Sequence, residues 1–186
     1  MITIWKSIVQ PKLDYCSQLW SPSDQTNICK LESVMRPFTA KIVHCEDLDY
    51  WDRLKYLQLL SQERCRERYQ IILIWKIAQG LIDGYNNISF SFSPRRGRTA
   101  TIGKIVNSAP SSVKRAREAS LQVKGARLFN LLPPDIRNID GENVNTFKSH
   151  LDQFLSNIPD QPTIPGRPRA AASNSLLDQI QMGGKQ

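Results

Sequence analysis

Apolar residues recur at helical spacing through residues 1–82 and change period once, just after Asp83-Gly84. Ile28, Leu31, Val34, Met35, Phe38 and Ile42 lie three or four apart, which predicts an amphipathic helix with a cap at Ser23 or Asp24. Trp51, Leu54 and Leu57 mark a shorter helix. Cys65, Tyr69, Ile72 and Trp75 mark a longer one, which starts after a Ser61 cap and ends at Gly80. The charge-rich stretch Arg64–Arg68 gives that helix one wet end and one buried end. Trp5, Ile8, Val9 and Leu13 share a face of a first helix over residues 1–20, kinked at Pro11; Pro37 predicts a second kink.

Beyond Gly84 the pattern alternates. Ile88-Ser89-Phe90-Ser91-Phe92-Ser93 has period two, a strand signal, and Thr99–Val106 is its return strand across a turn carrying Arg95, Arg96 and Arg98. Ser120–Val123 reads as a short strand and Gly125–Leu132 as a helix stopped by Pro133-Pro134. A final helix carries Val144, Phe147, Leu151, Phe154, Leu155 and Ile158, with Asn143 or Asn145 as its cap. From Pro159 the chain is rich in Pro, Gly and small residues. The expected fold is mainly α: a helical subdomain (1–82), a small mixed α+β module with a basic β-hairpin (83–158), and an extended, largely flexible tail (159–186), in which Leu176, Leu177 and Ile180 suit a docked helical turn or two.

Positive charge is localised. The chain has 25 Lys and Arg against 17 Asp and Glu, a net charge of +8. Residues 83–134 hold nine of the basic residues (Arg95, Arg96, Arg98, Lys104, Lys114, Arg115, Arg117, Lys124 and Arg127) against only Asp83 and Glu118, so +7 of the +8 sits there. Such a stretch attracts the phosphate backbone of RNA or single-stranded DNA, because each cation that meets a phosphate releases condensed counterions. Arg outnumbers Lys six to three, which suits bidentate phosphate contacts. The competing reading is a solvated face that keeps the chain soluble.

Several chemistries find no support. No apolar run approaches the ~20 residues of a membrane span, and the first residues carry no secretory pattern, so an intracellular location, nucleus or cytoplasm, is expected. Cys16, Cys29, Cys45 and Cys65 lack the close spacing of zinc ligands and read as small buried thiols. None of the eleven lysines follows an Asp or Glu by two residues, which argues against a restriction-like nuclease. His44 and His150 read as helix-end and helix-surface residues rather than bases. Trp5, Trp20, Trp51 and Trp75 read as core anchors rather than base-stacking platforms.

Six stretches in order carry a resemblance: Trp5-Lys6-Ser7-Ile8-Val9-Gln10-Pro11-Lys12-Leu13-Asp14-Tyr15 through Pro22; Leu31-Glu32 through Ile42; Trp51-Asp52-Arg53-Leu54-Lys55 through Leu59; Arg64-Cys65-Arg66-Glu67-Arg68-Tyr69 through Ile77; Gly125-Ala126-Arg127-Leu128-Phe129 through Asn138; and Phe147-Lys148-Ser149-His150-Leu151 through Leu155. Together they resemble the C-terminal region of non-LTR (LINE-type, jockey-like) retrotransposon reverse transcriptases, downstream of the polymerase palm. The resemblance implies RNA-directed DNA polymerase as the parental activity. It carries over no catalytic residue, because the family's Tyr-x-Asp-Asp turn has no counterpart: the chain contains no Asp-Asp pair. Two-metal phosphoryl transfer needs such converging carboxylates. The chain is therefore expected to be a non-catalytic fragment with no cofactor of its own, Mg2+ belonging to the parent polymerase. Its expected partners are RNA or DNA backbone, the missing polymerase domains, or a second copy of itself. The alternative is a structural or interaction module, or a relic of the element without a retained role.

Overall fold

The computed structural model describes residues 1–22, 24–42, 44–45, 47–82, 91–92, 105–106, 120–141, 143–162 and 174–183. Taken together these residues are mainly α. The chain divides into two compact units, residues 1–66 with 159–186, and residues 67–158. This differs from the expected division at residue 82: the boundary falls inside a helix, and the C-terminal segment belongs with the N-terminal unit.

In the first unit, helix α1 (Ile2–Ile4) runs through a π turn (Trp5–Val9) into α2 (Gln10–Asp14). Pro11 accounts for the wider turn. It brings no N–H, and its ring crowds the carbonyl four residues back, so the backbone opens and Gln10 N–H donates to the Trp5 carbonyl. The wider turn also shifts the expected face. Trp5 is buried and Val9 and Leu13 pack beside it, but Ile8 is exposed. A turn at Tyr15 and Cys16, the latter with φ of 50°, leads into α3 (Ser17–Trp20).

Helix α4 (Gln25–Ala40) starts at Asp24, whose carboxylate accepts from Asn27 N–H, and continues through Pro37. Helix α5 (Tyr50–Tyr56) is capped by Asp49. Trp5, Met35, Tyr50 and Leu54 form the core, with Phe38 and Trp51 packed against it. Trp5 lies 4.8 Å from Phe38, centroid to centroid. Burying four such side chains stabilises the unit by about 1.5–3 kcal/mol each.

Helix α6 (Gln62–Ala78) begins in this unit and continues in the second. Ser61 caps it, its hydroxyl accepting from Arg64 N–H at 3.1 Å. At the other end, Gly80 takes φ of 69°, so that its own N–H reaches the Ile77 carbonyl and Leu81 N–H the Lys76 carbonyl. This is the left-handed closure that glycine adopts without a Cβ penalty.

In the second unit, Ile71, Ile74 and Trp75 of α6 are buried, as are Val123, Leu128, Phe129, Phe147, Leu151 and Leu155. Trp75 stacks on Phe147 with centroids 4.2 Å apart and planes 6° from parallel. Residues expected as a strand at 120–123 instead enter a second π turn (Leu121–Gly125), followed by α7 (Ala126–Leu131), α8 (Pro134–Arg137) and α9 (Val144–Ser156). Gly125 explains why no side chain is placed there: a Cβ would stand 3.1 Å from Ile74 Cγ1 and 3.0 Å from Leu121 Cδ1. Strand β1 (Ser91–Phe92) pairs antiparallel with β2 (Ile105–Val106). The Asn130 amide clamps β2, donating to the Ile105 carbonyl and accepting from its N–H. The remainder of the expected hairpin, its arginine-bearing turn included, lies outside the described residues.

One expectation is corrected here. The charged start of α6 is not wet: Gln62, Glu63, Arg64, Arg66 and Glu67 are all buried. The C-terminal segment carries the helix that Leu176, Leu177 and Ile180 suggested. Helix α10 (Leu176–Gly183) belongs to the first unit, with Asn174, Ser175, Leu176 and Gln179 buried.

Candidate nucleic-acid interface

Nine residues were expected to meet phosphate. Arg95, Arg96, Arg98, Lys104, Lys114, Arg115 and Arg117 lie outside the described residues. Lys124 and Arg127 are described, and they behave differently. Lys124 leaves the π turn with its Nζ 3.0 Å from Glu67 Oε1, and Glu67 is 1% exposed. A cation that neutralises a buried carboxylate serves the fold, so Lys124 has a structural partner of its own. Arg127 projects outward from α7, between the buried Ala126 and Leu128, and is exposed. Helical spacing explains the contrast, since the inward positions of this turn are taken by Ala126, Leu128 and Phe129.

The arginines of α6 are likewise held internally. Arg64 donates to the Pro159 carbonyl at 2.8 Å and lies 3.7 Å from Asp160. Arg66 donates to the Leu13 carbonyl at 2.9 Å, and its guanidinium carbon sits 4.0 Å from the Trp20 ring centroid. Burial pushes its pKa down. Arg68 makes a two-pronged ion pair with Asp152.

The first unit also holds a buried polar network that sequence reasoning missed. Glu32 accepts from the Tyr50 hydroxyl and, at 2.9 Å, from Gln62 N–H at the start of α6. Burial pushes the Glu32 carboxyl up to about 7, opposed by those two hydrogen bonds. The Tyr50 hydroxyl is raised well above the usual phenol range, first by burial and then by the Glu32 charge. Asp160 accepts from Ser61 N–H, Ser61 hydroxyl and the Asn174 amide at 2.7, 2.7 and 2.6 Å. One signal for Glu32 was available: it shares the face of Ile28, Met35 and Thr39 by spacing, a carboxylate on an apolar stripe. Asp160 offered none, being 99 residues from its partner.

A small cleft of about 300 Å³, counting its open mouth, is lined by Ile28, Cys29, Glu32, Arg36, Trp51 and Asn174 among others. Arg36 is held over the Tyr50 ring at 4.1 Å. Both Glu32 oxygens accept hydrogen bonds from within the chain. Of the cysteines read as buried thiols, Cys45 is buried, Cys29 and Cys65 are half-buried, and Cys16 is exposed. Of the tryptophans read as core anchors, Trp20 is exposed. Among the described residues, no group of three His, Cys, Asp or Glu side chains is arranged to hold a metal ion, and no helix is long and apolar enough to cross a membrane.

Comparison with protein-family models, with curated proteins and with solved structures finds no match to this chain.

Proposed function

We propose that this chain is a non-catalytic C-terminal region of a LINE-type reverse transcriptase that binds RNA or single-stranded DNA through the phosphate backbone. The observation that carries the reading is the unbalanced charge of residues 83–134. Nine cations face two carboxylates there, and with Lys124 taken by Glu67, eight remain for phosphate. The arginines of α6 are held by Pro159, Leu13 and Asp152 and are not counted toward that excess. The helices then act as scaffold. Its place of action is intracellular, where element RNA and chromosomal DNA meet.

Replacing Arg95, Arg96 and Arg98 with Gln tests this. Affinity for a single strand falls similarly for all sequences, and the slope of log K against log salt shrinks by about 0.7 per charge removed. An unchanged slope refutes the placement.

A second reading has its own observation. Met1, Ile4 and Ile8 are exposed at spacings of three and four on the first helical run. Such a stripe suits self-association of an interaction module. Light scattering separates the two: a monodisperse monomer that grows only when RNA is added favours the first.

A further inference from the structure

We propose that Trp20 is a stacking platform for an unpaired nucleobase. The inference rests on the nucleic-acid reading above and adds base contact to it. Trp5 and Trp75 are core residues and Trp51 is half-buried against Tyr50, whereas Trp20 is 44% exposed. Exposure alone says little. What distinguishes Trp20 is that its ring is held in place. The indole N–H donates to the Tyr15 carbonyl at 2.7 Å, which fixes the ring's direction. The Arg66 guanidinium closes one face at 4.0 Å, and Arg66 is itself buried and tied to the Leu13 carbonyl at 2.9 Å. The exposure therefore belongs to the opposite face and the rim.

An aromatic face held still before its ligand arrives loses little rotamer freedom on binding. The cation behind it draws electron density from the indole and favours an electron-rich base in front. The Arg66 Nε and Nη1 are buried and meet no acceptor among the described residues, and the Asp14 carboxylate acts on its charge. Tyr15 and Leu19, both strongly exposed, belong to the same short stretch of chain as Trp20. A flat π face with one side closed fits a planar partner better than it fits an apolar helix, which needs a groove. Duplex bases are stacked on one another, so the platform serves single strands.

The test uses the full chain, with Trp20→Ala and Trp20→Phe, and three probes of equal length: single-stranded oligoadenylate, a duplex, and an abasic strand. Trp20→Ala is expected to weaken oligoadenylate binding about tenfold, as for loss of one stacked base. Trp20→Phe keeps most of the affinity and keeps Arg66 covered, which controls for folding. Duplex and abasic affinities, and the salt slope, stay unchanged. Equal oligoadenylate affinity for wild type and Trp20→Ala overturns the proposal. So does an equal loss on the abasic strand, which marks a purely structural role, and so does a Trp20→Ala effect confined to molecular mass in light scattering, which marks a protein-binding surface. If wild type fails to bind the abasic strand yet binds oligoadenylate through Trp20, the backbone reading falls and the platform stands. If wild type binds none of the three, both fall.

Discussion

Asp160 holds Ser61 twice, accepting from its backbone N–H and from its hydroxyl, each at 2.7 Å. Ser61 is the cap of α6, so a residue near the C-terminus completes the start of the longest helix. The same carboxylate accepts from Asn174 and faces Arg64. Asp160→Ala therefore leaves several buried donors unmet at once. A loss of about 2–4 kcal/mol is expected from denaturant unfolding. Amide exchange over Asn174–Gly183 should accelerate as well. A variant within about 0.5 kcal/mol of wild type would show that the network contributes little.

The Glu32 carboxyl has a folded pKa of about 7 against an ordinary value of 4.5. Between those two values the folded chain binds more protons than the unfolded one, so stability from this group is complete below about pH 4.5 and is lost as pH rises through 7. The lost stability is on the order of 3 kcal/mol. Glu32→Gln removes the titration while keeping an acceptor for Gln62 N–H. The stability of Glu32→Gln relative to wild type should climb from pH 4.5 to 7 and then level off. Parallel curves for the two proteins would contradict a raised carboxyl.

Local features of this fold were legible and distant ones were not. The Asp24 and Ser61 caps, the Gly80 stop and the stripes of α4 and α9 follow from spacing and capping chemistry, which act over a few residues. The buried charges of α6 did not follow, because what neutralises them comes from Asp160, Asp152 and Lys124, up to about a hundred residues away. Periodicity says which residues share a face but not what covers it, so Trp5 and Trp20 looked alike. Only contacts in space separate a core anchor from a held, exposed ring. The candidate site was legible as a charge count alone. That count could not show that Lys124 has a carboxylate partner on another element.

Gly80 offers a test free of packing. Its φ is 69°, and an added Cβ would meet nothing within 4 Å. Gly80→Ala should cost about 1 kcal/mol through backbone strain alone, and Gly80→Asn less, because Asn tolerates the left-handed region. Thermal unfolding of the two variants measures the difference. Equal losses would point to something other than the φ requirement.

Lys124 and Arg127 lie three residues apart, and opposite outcomes are expected for them. Lys124→Gln removes the cation 3.0 Å from a buried carboxylate, so stability should fall by about 1–2 kcal/mol, tempered by the partial exposure of the lysine. Its effect on single-strand affinity, measured below the unfolding temperature, should be slight. Arg127 stands exposed on α7, and Arg127→Gln should leave stability within about 0.5 kcal/mol while lowering affinity and the salt slope by the share of one phosphate contact, about 0.7. Paired unfolding and binding curves decide the matter. Should Lys124→Gln weaken binding without loss of stability, the lysine would return to the phosphate ligands, and its ion pair with Glu67 would be incidental.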